Sequence, residues 1–383
     1  MEKGADLKQE KQLSICIAIY NIREEFLRAC IESVCADSSE EVEILLGDDA
    51  SRPPIADICR GYAKRDARIR YIRRTQNGGV SAMRNQMIAA AKGRFITFID
   101  GDDAVPKGYA SCLCRALSGD TKDLDILMFQ WRRFETDIPK ISADHAAAWT
   151  IAPEAAAWFS RVCLTGEPPN LQQWNMKDST PSSVCIKAYR RDFLNENRLL
   201  FEEGLKKSQD VVFNTRAYHV CKNLGYLPKP LYFYRKNADS VTNRYSADMD
   251  GIIRACVRCD QNNQRSLFDG DGAVMTAWRK YKLIHYMLTM FALNIFHKKN
   301  PKRRTERRRY FLSWIHTEPF SSFLRDFDLK SYEWRERRLI VALAKQEAFL
   351  RLDLLYRHPF LLRLYGKTGC LADRIKNKTT GMK

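Results

Sequence analysis

Residues 95–103 have the sequence FITFIDGDD, an apolar run of strand-forming residues that passes directly into three carboxylates. The run at 95–99 predicts a buried β-strand, because β-branched and aromatic residues are favoured in strands. Asp100, Asp102 and Asp103 would repel one another unless a cation lay among them, and oxygen ligands at a strand end suit Mg²⁺ or Mn²⁺. A solvated turn in which Asp102 caps the next helix fits the same residues.

The same alternation of apolar runs and polar ends repeats over the first part of the chain. We predict strands at 13–20, 42–46, 68–73 and 94–99 and helices at 23–36, 53–64 and 80–92, with Gly93 as the cap of the last helix. Strands that alternate with helices indicate βαβ units and a mostly parallel α/β sheet. Because such sheets bind ligands beyond the carboxyl ends of their strands, the polar residues that follow each strand are candidate site residues.

The later part of the chain is less regular and then becomes helical. We predict strands at 124–131 and 231–234 and helices at 153–164, 188–197 and 210–221. Beyond residue 246 the pattern is helical throughout and rich in Arg, Lys, Trp and Phe. Since single cores stop growing at roughly 250–300 residues, two parts are expected. We predict an α/β domain over residues 1–245 and a basic α-helical region over 246–383.

Positive charge is concentrated at the carboxyl-terminal end. The 383 residues include 64 Lys and Arg against 46 Asp and Glu, a formal charge of +18. Residues 297–383 hold 22 Lys and Arg against 9 Asp and Glu, and so carry +13 of it. Cations beside aromatics at helical spacing favour an anionic membrane surface, although a solvated face over an ordinary helical core fits the same pattern. Nucleic acid is not expected as a partner, because no nucleic-acid-binding motif accompanies the charge.

The cysteines and the amino terminus indicate a cytoplasmic protein. The 12 cysteines lie mostly in apolar segments, which is typical of reduced thiols in a core, and the close pairs lack the partners of a zinc site. The segment MEKGADLKQEKQ at 1–12 has no apolar stretch of a signal peptide, and no apolar run is long enough to cross a bilayer.

Four ordered segments carry a family resemblance. They are SICIAIYN at 14–21, LLGDDAS at 45–51, NGG at 77–79 followed by Arg84 and Asn85, and FIDGDD at 98–103. In this order they resemble family 2 glycosyltransferases. The resemblance implies a GT-A fold with a nucleotide-sugar half at 13–115 and an acceptor half at 116–245. It also implies an inverting enzyme that uses a nucleoside diphosphate sugar, here a UDP-sugar, with Mn²⁺ or Mg²⁺ as cofactor.

The resemblance also implies roles for individual residues on the donor side. Tyr20 would line the base pocket, Asp49 would contact the base and Arg84 would lie near the nucleotide. Asp100, Asp102 and Asp103 would form the DXD-type motif, with the last two nearest the ribose, metal and diphosphate. From its position alone, Asp49 is also a candidate cap for the helix that begins at residue 53. A metal aimed at the diphosphate would lower the barrier, because the leaving group gains charge.

The general base comes from a second resemblance. The segment FEEGLKKSQDVVFN at 201–214 resembles the family's F-x-E-G-L and E-D-V-x-F elements, in which the Asp that opens a helix is the base. Here that residue is Asp210, and Gln209 stands where Glu is usual. Inversion needs such a base opposite the leaving group. An Asp that only stabilises the helix N-terminus is the alternative.

Three further residues complete the candidate site. Arg235 would meet the diphosphate, since a guanidinium fork suits phosphate oxygens, or would be an exposed strand residue. Trp174 and Glu203 would lie on the acceptor side, where the indole ring either stacks on a sugar or packs in the core.

The sequence therefore predicts an inverting, metal-dependent glycosyltransferase at the inner face of the cell membrane. It would move a single sugar from a UDP-sugar to a hydroxyl of a glycan or lipid-linked acceptor in cell-surface polysaccharide synthesis. A nucleotidyltransferase is one alternative, although its Gly-rich basic loop is missing after the first strand. A non-catalytic membrane or glycan-binding scaffold is another. The sequence leaves the donor sugar, the acceptor and the oligomeric state open.

Overall fold

The computed structural model describes residues 11–37, 39–140, 147–236 and 244–362. The chain divides into two compact units. The first takes the described residues within 1–164, 168–238 and 259–267, and the second takes those within 165–167, 239–258 and 268–383. The main division lies near residue 238, with 259–267 also in the first unit, whereas the sequence predicts a boundary at 245.

The first unit is built on a mixed sheet of eight strands in the order β3-β2-β1-β4-β7-β5-β8-β6, counted over the described residues. The strands are β1 Leu13–Ile19, β2 Val42–Asp48, β3 Ile69–Arg73, β4 Phe95–Asp100, β5 Ile126–Phe134, β6 Trp149–Thr150, β7 Lys187–Arg190 and β8 Leu224–Arg235. The helices between them are α1 Glu24–Cys35, α2 Pro53–Arg65, α3 Gly79–Ala90, α4 Tyr109–Ala116, α5 Glu154–Thr165, α6 Arg191–Glu196 and α7 Gln209–Val220. The predicted α/β architecture is confirmed.

Strand direction brings the polar loops to one edge. β1 runs parallel to β2 and β4, and β2 runs parallel to β3. β7 is antiparallel to both β4 and β5, so β5 runs in the same direction as β4, and β8 is parallel to β5. The carboxyl ends of β1, β2, β4, β5 and β8 therefore meet at one edge of the sheet.

The predicted helix at 188–197 is wrong in its first part. Lys187–Arg190 is strand β7, and only Arg191–Glu196 is helical. Ala188 and Tyr189 pair with β4 on one side and β5 on the other. These pairings between distant segments override the helical pattern, because strand formation depends on neighbours that the local sequence does not contain.

Gly93 serves a different purpose from the helix cap that the sequence suggests. Helix α3 ends at Ala90, and its cap residue Ala91 has extended backbone. A Cβ at Gly93 would lie 2.4 Å from the backbone nitrogen of Ser14. Glycine is needed here because the loop before β4 passes directly against β1.

The described residues from 244 onward form helices and no strand, so the predicted helical carboxyl-terminal region is confirmed. The helices are α8 Met249–Leu267, α9 Gly272–Trp278, α10 Ile284–Met290, α11 Arg304–Ile315, α12 Phe320–Asp326, α13 Arg335–Lys345 and α14 Phe349–Arg357. Two π-helical turns, Arg279–Leu283 and Phe291–Ile295, continue α9 and α10. Phe291, Phe296 and Phe311 pack together in the core of the second unit. Among the described residues, no helix combines the length and the apolar character that a bilayer span requires.

Lys187 is a buried cation inside the first unit. Its side chain is fully buried, and Nζ donates to the carbonyl oxygens of Thr180 and Ser183. Burial lowers the pKa of Lys187 from 10.5 to about 8. Between these two values the unfolded chain holds a proton that the folded chain has released, so the folded state gains stability as the pH rises.

We predict that Lys187→Met removes this pH dependence. From roughly pH 7.5 to pH 9.5, the free energy of unfolding of the wild type should rise by about 2 kcal/mol relative to the variant. Urea denaturation at a series of pH values measures the difference. The matched control is Lys177→Met, an exposed position at which the difference from wild type should not change with pH. A constant difference between wild type and Lys187→Met would contradict the role of burial.

Candidate active site

The loops that follow β1 and β2 position Tyr20 at the carboxyl edge of the sheet. Tyr20 follows β1 and is 51% exposed. The neighbouring Asn21 and Ala50, which follow β1 and β2, have φ values of +48° and +62°, a strained region for residues other than glycine. Asn21 fixes the two loops together, because its backbone N–H donates to Ser51 Oγ and its Oδ1 accepts from the backbone N–H of Arg52. Tyr20 is thus presented to solvent from a rigid turn.

Asp49 follows β2 and binds the start of α3. Its carboxylate accepts hydrogen bonds from the backbone N–H groups of Gly78 and Gly79, at 2.9 and 2.7 Å, and from Asn77 Nδ2 at 2.8 Å. Arg74 lies 3.1 Å from it. Gly79 has φ +85°, which lets the backbone turn its N–H groups towards the carboxylate. Asp49 does not cap α2, whose N-cap residue is Arg52.

The acidic motif at the end of β4 contains side chains in different settings. Asp103 is buried, and its oxygens accept from the Tyr232 hydroxyl and, at 2.7 Å, from the backbone N–H of Arg235. Asp102 is half-buried, and its backbone oxygen accepts from Arg235 Nε at 2.8 Å. The motif on β4 is therefore held by the last residues of β8. Sequence reasoning missed Tyr232, which stands in an apolar run with nothing to mark it.

Burial and mutual repulsion act on these carboxylates. Burial raises the pKa of Asp102, and the Asp100 charge adds to the effect. The pKa of Asp103 lies well above its ordinary value for the same two reasons, with Asp102 as a further negative neighbour. The same burial and the same negative neighbours would oppose a further anionic group at this place unless a cation accompanied it.

Arg235 is the cation at this end of the motif. Its guanidinium lies 4.4 Å from the ring centre of Phe26 and 4.3 Å from that of Phe134, so it is stacked between two aromatic rings. Burial lowers the pKa of Arg235 from its usual value, although Asp103 and Asp102 oppose the change. Guanidinium groups nevertheless stay charged at physiological pH.

The residues fit a divalent metal that is held jointly with a substrate. Among the described residues, no group of three or more His, Cys, Asp or Glu side chains is placed to hold a metal by itself. Mg²⁺ usually takes one or two protein carboxylates and obtains its other ligands from water and phosphate. Asp102 fits such a role. The Asp103 carboxylate is already engaged by Tyr232 and Arg235.

Arg84 joins the acidic motif to the distant predicted base. This arginine of α3 is 3% exposed. One nitrogen lies 2.9 Å from Asp100 Oδ1, and another lies 2.5 Å from Asp210 Oδ1. Burial would lower the pKa of Arg84, but Asp210 and Asp100 outweigh it and raise the pKa above its usual value. Arg84 is therefore a buried cation that pairs with two carboxylates, Asp100 and Asp210.

Asp210 lies in the first turn of α7, with 27% of its side chain exposed. Its Oδ2 accepts from the backbone N–H of Val184 at 3.2 Å, while Oδ1 meets Arg84. The positive end of a helix dipole favours a carboxylate at this position. Asp210 is thus oriented by two partners and still reaches solvent.

Asn85, next to Arg84, holds the segment that precedes α7. Its Oδ1 accepts from the backbone N–H of Phe201 at 2.8 Å, and its Nδ2 donates to Phe201 O and to Glu203 Oε1 at 3.0 Å. Phe201 stacks on Phe213 of α7 at 4.1 Å. Glu203 is exposed, and its carboxylate accepts one of these hydrogen bonds from Asn85. The sequence offered a signal for Asn85, since it stands beside Arg84 in the quoted motif.

Trp174 lies in the short 3₁₀ helix Leu171–Trp174 and is half-buried. It packs against the core of the first unit, with its ring 6.2 Å from that of Trp158. Its buried Nε1 has no hydrogen-bond partner among the described residues. The contacts favour the packing interpretation of this residue over an exposed stacking platform.

Comparisons with known proteins find similarity to glycosyltransferases. The family model described as Glycosyl transferase family 2 matches residues 14–196. The putative glycosyltransferase EpsH of Bacillus subtilis is 31% identical over 235 residues, which cover 61% of this chain and 63% of that protein. The poly(ribitol-phosphate) beta-glucosyltransferase of Bacillus spizizenii is 25% identical over 396 residues, 96% of this chain and 56% of that protein. The chain spans less than two thirds of the length of these relatives.

A solved structure extends the likeness to most of the chain. The crystal structure of S. aureus TarS residues 1–349 in complex with UDP-GlcNAc has a TM-score of 0.59 and 16% identity, and the match covers 91% of this chain and 92% of that chain. A likeness at such low identity shows the fold. The GT-A fold expected from the sequence motifs is confirmed.

We predict that Arg84→Met destabilises the fold strongly. Removing the guanidinium leaves Asp100 and Asp210 facing each other without a cation, and should lower the free energy of unfolding by about 2–4 kcal/mol. Both carboxylates are partly exposed, which keeps the loss below that of a fully buried triad. Urea denaturation provides the measurement.

The control for Arg84→Met is Arg60→Met, which removes a surface arginine paired with the exposed Asp57. That change should leave the unfolding midpoint within experimental error, because exposed ion pairs contribute little. Equal effects of the two substitutions would show that Arg84 does not support the site.

Proposed function

Residues 14–196 form a family 2 glycosyltransferase domain, and from this premise we propose that the protein is an inverting, metal-dependent glycosyltransferase. It transfers a single sugar from a UDP-sugar to a hydroxyl of a glycan or lipid-linked acceptor in cell-surface polysaccharide synthesis. One observation carries the proposal: Arg84 binds the donor-side Asp100 and the candidate base Asp210 at the same time. A catalyst needs these two groups in a fixed relation.

The donor side of the proposal rests on the carboxyl edge of the sheet. Tyr20 offers an exposed ring for the base, and Asp49 follows β2 with its backbone N–H bonded to the carbonyl oxygen of Ile19, the residue before Tyr20. Arg235 supports the diphosphate, since it is a charged fork stacked next to the acidic motif. A divalent cation on Asp102, Mn²⁺ or Mg²⁺, would neutralise charge that develops on the leaving diphosphate.

The proposed transfer is a single displacement. Asp210 takes the proton of the acceptor hydroxyl through its carboxylate, and the acceptor oxygen forms its bond to the anomeric carbon. The bond from that carbon to the diphosphate oxygen breaks on the opposite face, and UDP leaves with the electron pair. Arg84 and the N–H of Val184 orient the carboxylate, so the base need not reorganise during the step.

The acceptor class is supported by what the relatives are called. The relative that matches 96% of this chain is named for a poly(ribitol-phosphate) acceptor, a phosphate-bearing polymer. A basic chain suits such a polyanion, since the segment 298–309 contains eight cationic residues, all exposed except Arg307, and one acidic residue. A nucleotidyltransferase and a non-catalytic scaffold remain the competing hypotheses.

The decisive measurement is UDP release from a panel of nucleotide sugars, with and without Mn²⁺. We predict that Asp210→Asn lowers kcat by about 100-fold or more while the protein stays folded, because general-base catalysis contributes that much. Asp102→Asn should instead raise the Mn²⁺ concentration needed for half-maximal rate.

Asp120→Asn is the matched control, an exposed aspartate in the turn Gly119–Thr121 that should leave the rate unchanged. A scaffold would release no UDP with any donor. Full activity in Asp210→Asn would remove the base assignment while leaving the enzyme class intact.

We also propose that the protein works in the cytoplasm, peripherally on the inner face of the cell membrane. Part of the basic region expected to bind anionic lipid, 363–383, lies outside the described residues. In the described part, Leu350, Leu354 and Phe360 are 58%, 51% and 61% exposed, close to the exposed Arg351 and Arg357. Exposed apolar side chains among cations are what an anionic interface binds.

We predict that replacing Leu350, Leu354 and Phe360 by serine reduces sedimentation with phosphatidylglycerol vesicles several-fold, since apolar insertion and charge act together. Met275→Ser, at a position 42% exposed, is the control and should bind as the wild type does. If the triple variant sediments as fully as the wild type, these three side chains do not bind the membrane. If the proteins sediment as fully with phosphatidylcholine as with phosphatidylglycerol vesicles, charge does not contribute to binding.

A further inference from the structure

Two aromatic side chains stand together at the ends of β5 and β8. Trp131 and Tyr234 make an edge-to-face pair with ring centres 6.2 Å apart and ring planes at 89°. Trp131 is half-buried, and Tyr234 is 38% exposed. Exposed aromatic residues occur singly on many surfaces, but a pair that is fixed by its own contact at the edge of a site presents a shaped apolar platform.

Strand register places this pair on the same face of the sheet as Tyr232, which contacts Asp103 of the acidic motif. Trp131 is opposite Tyr232 in the ladder, and Arg133 is opposite Tyr234. Alternate residues of a strand share a face, so Trp131, Arg133, Tyr232 and Tyr234 project from one face of the sheet. Tyr232 reaches Asp103 from that face. On the opposite face, Arg235 stacks on Phe134.

A cation completes the platform. Arg133 is exposed, and its guanidinium lies 5.3 Å from the Trp131 ring centre. It differs from Arg235, whose side chain belongs to the opposite face of the sheet. An exposed arginine beside two aromatic rings presents an apolar surface for a sugar ring and a fork for an anionic substituent.

We propose that Trp131, Tyr234 and Arg133 form a binding subsite for the acceptor, and that its occupant is a sugar with an anionic substituent. The sugar lays its C–H face on the rings, and its phosphate or carboxylate meets Arg133. This inference rests on the proposed transferase function, since it assigns the platform to the acceptor of that reaction. It adds a specificity determinant that the motifs at 14–21, 45–51 and 98–103 do not contain.

Direct binding tests the subsite without turnover. Saturation-transfer NMR on the full chain uses three matched probes: glucose, glucose 6-phosphate and glucuronate. We expect the wild type to favour an anionic probe over glucose, with the better of the two identifying the substituent. Tyr234→Ala and Trp131→Leu should reduce transfer to all three probes by about fivefold, and Arg133→Gln should abolish the preference for the anionic probes.

The controls separate binding from folding and from the reaction. Phe360→Ala removes another exposed aromatic ring and should not change the NMR signals. Tyr234→Ala changes the more exposed of the two rings, and circular dichroism should show that this variant stays folded. UDP release from the donor without acceptor should be unaffected in Tyr234→Ala and Arg133→Gln.

Three results overturn the subsite: unchanged probe binding in both ring variants, equal binding of glucose and the anionic probes by the wild type, or no binding of any probe. Failure of the proposed function looks different, because the wild type would then release no UDP from any donor, whatever the probes do.

Discussion

The structure of the site depends on one buried guanidinium. Arg84 comes from a helix packed beneath the sheet and holds Asp100 at the end of β4 and Asp210 at the start of α7, residues 110 positions apart in the chain. A buried cation between two carboxylates is stable only while both partners are present. This mutual requirement makes the donor-side motif and the candidate base one structural unit. Asn85, the next residue, strengthens the link by holding the segment at 201–203.

The sheet supplies the second constraint. Because β1, β2, β4, β5 and β8 all point the same way, their polar ends gather at one edge. The turns there are held in costly backbone conformations at Asn21 and Ala50, which the hydrogen bonds to Ser51 and Arg52 maintain. The edge is thus rigid before any ligand arrives, which reduces the entropy lost when a ligand binds.

Whether an element could be predicted from the sequence depends on whether its stabilising contacts are local or come from distant segments. β1, β2 and β4 are buried on both faces, so their apolar runs mark them without reference to the rest of the chain. β7 could not be found in this way, because the strand is defined by its pairing with β4 and β5, which are distant in the sequence. Among the site residues, Asp49 and Asp100 were marked by their place after a strand. The contact of Tyr232 with Asp103 was not marked, because it joins residues 129 positions apart.

By itself the sequence determined the α/β class, the motifs of a family 2 glycosyltransferase domain, the helical carboxyl-terminal region and the concentration of charge within it. The class, the helical region and the charge follow from composition and periodicity, whereas the motifs are identified by their resemblance to the family. All of these are local properties of the chain. Only the tertiary structure decided that Arg84 faces two carboxylates, that Arg235 is stacked between Phe26 and Phe134, and that Trp131 meets Tyr234. These contacts join distant segments, and their energies depend on burial and orientation that the folded chain alone creates.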